Sequence, residues 1–329
     1  MKVDLPPSDG MRELKSRVAV RLRSRTGGKD CEFRVQLSLT FALNEVTRGL
    51  ARLFPHRRSI AYVQGCGPYF EPLMKYFSAE GFSLQAVPFT QLKSPAWLET
   101  LKKDSLFVLL SDDDPLTGQL FETAEIQAAL EAKKIFSILT SHAAHNYRET
   151  WSMSPYLVRV LSGGPQFALS LLGDRAAKIE PLLFGPADWV TGLAEKAEAF
   201  FAVKSEDRDV VRDFENARPG SAALFFSEET PRLFDRAALY WTDMDGEAFV
   251  HELAMALKVS LLIPGSESRI ETASLCRWKG MKTLSWLNEQ GIQADVSRGL
   301  VLIARDLIDS KLSAQIEKVR THLLKIQNG

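Results

Sequence analysis

Four stretches of this 329-residue chain carry residue types that could do chemistry. "QGCGPYFE" (64–71) follows a β-rich run and opens a helix. Gly65, Cys66 and Gly67 would expose backbone N–H groups at a helix N-terminus, a place that suits a phosphate. The same glycines equally suit a tight strand-to-helix turn, and the stretch matches neither GxGxxG nor the P-loop pattern. "SDDDPLTGQLFETAEI" (111–126) sets three acids at a strand's carboxyl end. Acids can hold a metal through oxygen. Consecutive residues on an extended chain point to alternate sides, however, so a turn at Pro115 and Gly118 is the expectation. "TSHAAHNY" (140–147) holds His142 and His145 at i,i+3 spacing, for acid–base work or for a structural hydrogen bond. "SGGPQFALSLLGDRAAK" (162–178) offers Ser162, without a GxSxG elbow, and Arg175, suited to phosphate or to a surface ion pair. No metal site is expected.

The elements around these stretches must bring them together. Up to about residue 185 the chain alternates amphipathic helices with short apolar runs: "RSIAYVQG", "FSLQAVPF", "SLFVLLS", "IFSILTS", "YLVRVLS" and "FALSLLG". "SPAWLETLKKD" reads as a helix with Ser94 as N-cap and Pro95 at its first position. Such alternation predicts an α/β fold, a mostly parallel central sheet sandwiched by helices. Ligands of such sheets sit beyond the carboxyl ends of the strands, so residues 65–67, 111–117, 140–145 and 162–166 should gather along one edge. The division expected is a basic N-terminal segment, partly disordered (1–35), a large α/β domain (36–185), a connecting helix (186–219) and a small C-terminal α+β domain (220–329).

Composition narrows the function classes. Lys+Arg and Asp+Glu both number 41, so no general pull on nucleic acid or membrane is expected. Residues 1–60 carry 13 basic and 6 acidic side chains, hence +7, and the remainder −7. A solvated helix face, or an arm against an acidic neighbouring subunit, accounts for this better than a polyanion site. Three cysteines without a CxxC give neither a zinc site nor a disulfide framework. With no long apolar run and no apolar signal core, a cytoplasmic protein is expected.

Taken together, the motifs resemble the fold-type I pyridoxal-phosphate (PLP) enzymes, namely the class I/II aminotransferases with class V, cysteine-desulfurase-like features. "DDPLTGQLFETAEI" is similar to the family's Asn-Pro-x-Thr-Gly turn, with Asp114 in the Asn place. The turn of Gly65, Cys66 and Gly67 lies where the family cradles phosphate. "LLGDRAAK" resembles Gly-x-Arg-x-Gly, which would make Arg175 the phosphate-holding arginine. Arg305 in "VLIARDL" lies near the place of the arginine that binds the substrate carboxylate.

The departures fall on the chemistry. The resemblance puts the Schiff-base lysine at Phe167 in the class I register, or at Pro165 when "SGGP" is aligned on the class V pattern. It puts the pyridine-nitrogen aspartate at Leu139 or Thr140. No lysine occurs between Lys134 and Lys178, and no acid from Ile135 to Arg148. A PLP enzyme needs an amine for the cofactor and an acid to make its ring an electron sink. The resemblance therefore implies a catalytically inactive aminotransferase-like protein, a binding or scaffolding homodimer of unknown protein or small-molecule partner. A vestigial pocket would hold Gly65, Cys66, Gly67, Asp114, His142, Ser162 and Arg175. No cofactor is expected. The alternative is a PLP-dependent transaminase with an atypical site, its PLP held non-covalently.

Overall fold

A computed structural model describes residues 9–26, 31–64, 70–88, 91–92, 95–113, 119–141, 153–162, 168–179, 207–227, 229–232, 234, 236–258, 270–272, 296 and 299–328. Spatial clustering divides the chain into two units. One is Met1–Val63, Tyr69–Asp112 and Glu122–Lys204; the other is Gln64–Pro68, Asp113–Phe121 and Ser205–Gly329.

In the first unit the described elements run α1 (Asp9–Arg25), β1 (Glu32–Gln36), α2 (Leu39–Leu53), β2 (Ser59–Val63), α3 (Phe70–Ala79), β3 (Ser83–Val87), β4 (Ser105–Ser111), α4 (Ala124–Ala132), β5 (Phe136–Ser141), β6 (Leu157–Ser162) and β7 (Ala168–Leu172). The seven strands form one sheet in the order β1-β7-β6-β5-β4-β2-β3. β3, β2, β4, β5 and β6 are mutually parallel, and β7 alone runs against its neighbours β6 and β1. Every residue of β4, β5, β6 and β7 is buried. That explains why these strands read as unbroken apolar runs: a sheet covered on both faces leaves no polar face to alternate with. The α/β expectation is thus met. α2 begins at Ser38, whose hydroxyl accepts from Phe41 N, and turns its apolar stripe (Leu39, Ala42, Leu43, Val46, Leu50) inward.

Two local readings gain detail. The first 35 residues were expected as a partly disordered basic segment, its charge run on a solvated helix face or an arm; of the described residues, 9–25 are helix α1 and 32–36 are strand β1. Val18 and Leu22, four residues apart and so on one face, pack with Leu161, Leu169 and Leu171 of β6 and β7. The charge run masked this stripe, because two apolar residues among many arginines carry little periodic signal. The helix expected around Pro95 is a 3-10 helix over Pro95–Thr100. Six residues are too few to favour the α form over a tighter turn.

In the second unit the elements are α5 (Asp207–Asn216), β8 (Ala223–Leu224), β9 (Arg236–Tyr240), α6 (Gly246–Leu257), β10 (Ile270–Thr272), β11 (Leu300–Ala304) and α7 (Leu312–Asn328). The strands form a sheet in the order β10-β11-β9-β8, antiparallel throughout. α6 is capped by Asp245, whose side chain accepts from Glu247 N and Ala248 N. Of the connecting helix expected over 186–219, the described part is α5; 186–206 lies outside the described residues. Asp113–Phe121 also belongs to this unit. Leu120 N donates to Pro231 O at 2.8 Å, and Gln119 bridges Arg232. Among the described residues, no helix is long and apolar enough to cross a membrane.

Candidate functional site

The parallel strands bring their carboxyl ends to one edge, as the alternation requires. Ser111 closes β4 beside Thr140 of β5, and Ser141 closes β5 beside Leu161 of β6, which ends at Ser162. All four hydroxyl residues are buried. Just beyond Ser111, Asp112 continues the sheet hydrogen bonding: its N–H donates to Thr140 O at 2.8 Å.

Asp112 is the centre of this edge. Its carboxylate is fully buried. Oδ1 accepts from Thr123 Oγ1 at 3.0 Å, one residue before α4. Oδ2 accepts from Ser141 Oγ at 2.8 Å and from Arg159 Nη1. Gln127, one turn into α4, supports Thr123 by donating to its Oγ1 at 2.7 Å. Arg159 lies mid-strand in β6, opposite Leu139 on β5 and Leu171 on β7, with only 3% of its side chain exposed. A buried charge persists only when paired and hydrogen-bonded. Here both carboxylate oxygens are committed to side chains of the same unit. Arg159 Nε is buried and has no hydrogen-bond partner among the described residues. The network can hold α4 and three strands in register.

The sequence reading missed this network. It treated the three acids as a turn and passed over Arg159. The signal was present: one arginine inside the otherwise apolar "YLVRVLS" demands a buried counter-charge, because arginine is almost never buried alone.

The expected site residues are not all at this edge. Leu139 and Thr140 lie within β5, not beyond it, because the strand runs on to Ser141. Leu139 is fully buried; Thr140 Oγ1 is 3.1 Å from both Leu110 O and Ser111 Oγ. Arg175 lies at the opposite edge. β7 reverses direction, so Ala168 pairs Ser162 at the carboxyl edge and Leu172 pairs Val158 near the amino edge. Arg175 comes three residues later, exposed, with its N–H on Pro155 O at 3.1 Å. At about 3.3 Å per residue, β7 alone separates it from the carboxyl edge by about 13 Å. Gly173 of the same "GDR" has a packing reason: a Cβ there would stand 2.0 Å from Ser154 O. Arg305 opens a 3-10 turn after β11 in the second unit, half-buried. Gly65, Cys66, Gly67, Asp114, His142, His145, Pro165 and Phe167 lie outside the described residues. Among the described residues no group of three His, Cys, Asp or Glu side chains is placed to hold a metal.

No protein-family model matches the chain, and no curated protein matches it. Its likeness to solved structures is extensive. A NifS-like protein superposes with a TM-score of 0.72 at 14% identity, over 96% of this chain and 87% of the other. The cysteine desulfurase CsdA from Escherichia coli gives 0.67 at 13%, over 98% and 88%. Glycine decarboxylase (P-protein) of the glycine cleavage system gives 0.63 at 14%, over 97% and 78%. At such identities the likeness establishes the fold, which is that of the fold-type I PLP-dependent transferases.

Proposed function

We propose that this chain keeps the frame of a PLP-dependent transferase without its chemistry, and serves as a cytoplasmic homodimeric binding or scaffolding protein. One observation carries the reading: a carboxylate at the strand-end edge, that of Asp112, is consumed by Arg159, Ser141 and Thr123 and offers nothing to a ligand. The sequence supports it, with no lysine between Lys134 and Lys178 to tether an aldehyde. Two further observations support it: none of the described residues at that edge carries a primary amine, and Arg175 stands at the far edge. The homodimer rests on the family resemblance alone.

The test is to add equimolar PLP to the purified protein, record the visible spectrum, reduce with borohydride and weigh the intact chain. The expected result is no covalent adduct and no rise in melting temperature, since a ligand of the native state must raise it. One equivalent of PLP fixed to a lysine, or stabilisation by PLP held without a bond, would overturn the reading in favour of a transaminase with an atypical site. Light scattering that gives a monomer mass would refute the homodimer.

A further inference from the structure

The second unit holds a cavity of about 330 Å³ that the strand-end edge does not share. One wall is α5, which presents Arg212, Glu215 and Asn216 at i, i+3 and i+4. Facing it are the rings of Phe226 and Phe234, both mostly buried.

Its charges divide into committed and uncommitted ones. Arg232 donates through Nη1 to Glu215 Oε1 at 2.9 Å and through Nη2 to Oε2. Its guanidinium also lies 4.9 Å from the Phe226 ring centroid and 4.8 Å from that of Phe234. Glu215 Oε1 accepts further from Ala238 N at 2.8 Å, which ties the pair to β9. This pair is neutral and fixed. Arg212 differs. Its guanidinium lies 5.3 Å from the Phe234 centroid, and among the described residues it makes no ion pair or hydrogen bond. The five N–H donors of a guanidinium lie in its plane, and those that no protein group takes stay available for a planar acceptor. Glu229, exposed, is the remaining lining carboxylate.

We propose that this cavity binds a small aromatic carboxylate. Its carboxylate takes the in-plane donors of Arg212, and its ring lies against Phe226 and Phe234. The size agrees: about 330 Å³ is at the lower end of ligand cavities and holds one ring with a short acid. The charge agrees as well: with Glu215 neutralised by Arg232, one uncommitted cation, Arg212, stands against one carboxylate, Glu229, which suits a monoanion better than a phosphate. The site does not depend on the reading of the strand-end edge, and either can fail without the other.

The probe is phenylacetate, titrated calorimetrically into the full chain. A dissociation constant of about 1 mM or tighter is expected for a ligand of this size. Arg212→Gln should weaken binding by about tenfold or more, while the loss of its contact with Phe234 lowers the melting temperature without ligand by no more than about 4 °C. Arg212→Lys should restore part of the affinity, since it keeps the charge but not the planar fork. Phenylacetamide, with the same ring and no charge, should bind at least about tenfold more weakly. No binding of phenylacetate by about 10 mM would overturn the proposal. So would equal affinity for the amide, or an Arg212→Gln variant that melts normally and binds as the parent does.

Discussion

Replacing Asp112 by alanine is the most direct perturbation of the strand-end network. It removes the acceptor of Arg159, Ser141 and Thr123 together. Arg159, 3% exposed, then keeps a charge with no counter-ion. Breaking a buried pair from one side costs about 3–5 kcal/mol, and Asp112→Ala should lose that much. Ser141→Ala removes one hydrogen bond to a charged acceptor and should lose less, about 1.5–3 kcal/mol. Exchanging both charges for apolar groups, Asp112→Leu with Arg159→Met, leaves nothing charged and unpaired, and should recover most of the loss. Urea unfolding followed by far-ultraviolet circular dichroism measures this. With a slope of about 2–3 kcal/mol/M, a loss of 3–5 kcal/mol moves the midpoint down by about 1–2.5 M. A loss under about 1 kcal/mol for Asp112→Ala, the size of a solvated pair, would refute the reasoning. A double variant no more stable than Asp112→Ala would do the same.

Other outcomes follow from the same geometry. Leu22→Ala, at a side chain 2% exposed against β6 and β7, should lose about 2–5 kcal/mol in the same urea experiment, whereas a solvated arm would lose nothing measurable. Gly173→Ala puts a Cβ 2.0 Å from Ser154 O and 2.9 Å from Leu157 O, so backbone must move; a loss of at least about 2 kcal/mol is expected. Arg175→Ala, two residues on and exposed, should change stability by less than about 0.5 kcal/mol and leave the response to added PLP untouched, which the titration with PLP would check.

The sequence by itself determined the alternation of helix and buried strand, because near-continuous apolar runs record coverage on both faces. It determined that no amine lies between Lys134 and Lys178. Even the reversal of β7 was legible in principle: five residues separate Ser162 from Ala168, too few for a crossover to a parallel strand. What only the tertiary structure decided are relations across sequence distance. That α1 packs on β6 and β7, that Asp112 meets Arg159 across 47 positions, and that Arg175 sits at the edge opposite Ser162 all depend on strand order and direction. Periodicity reports which side of an element is buried; it carries no term for what that side is buried against.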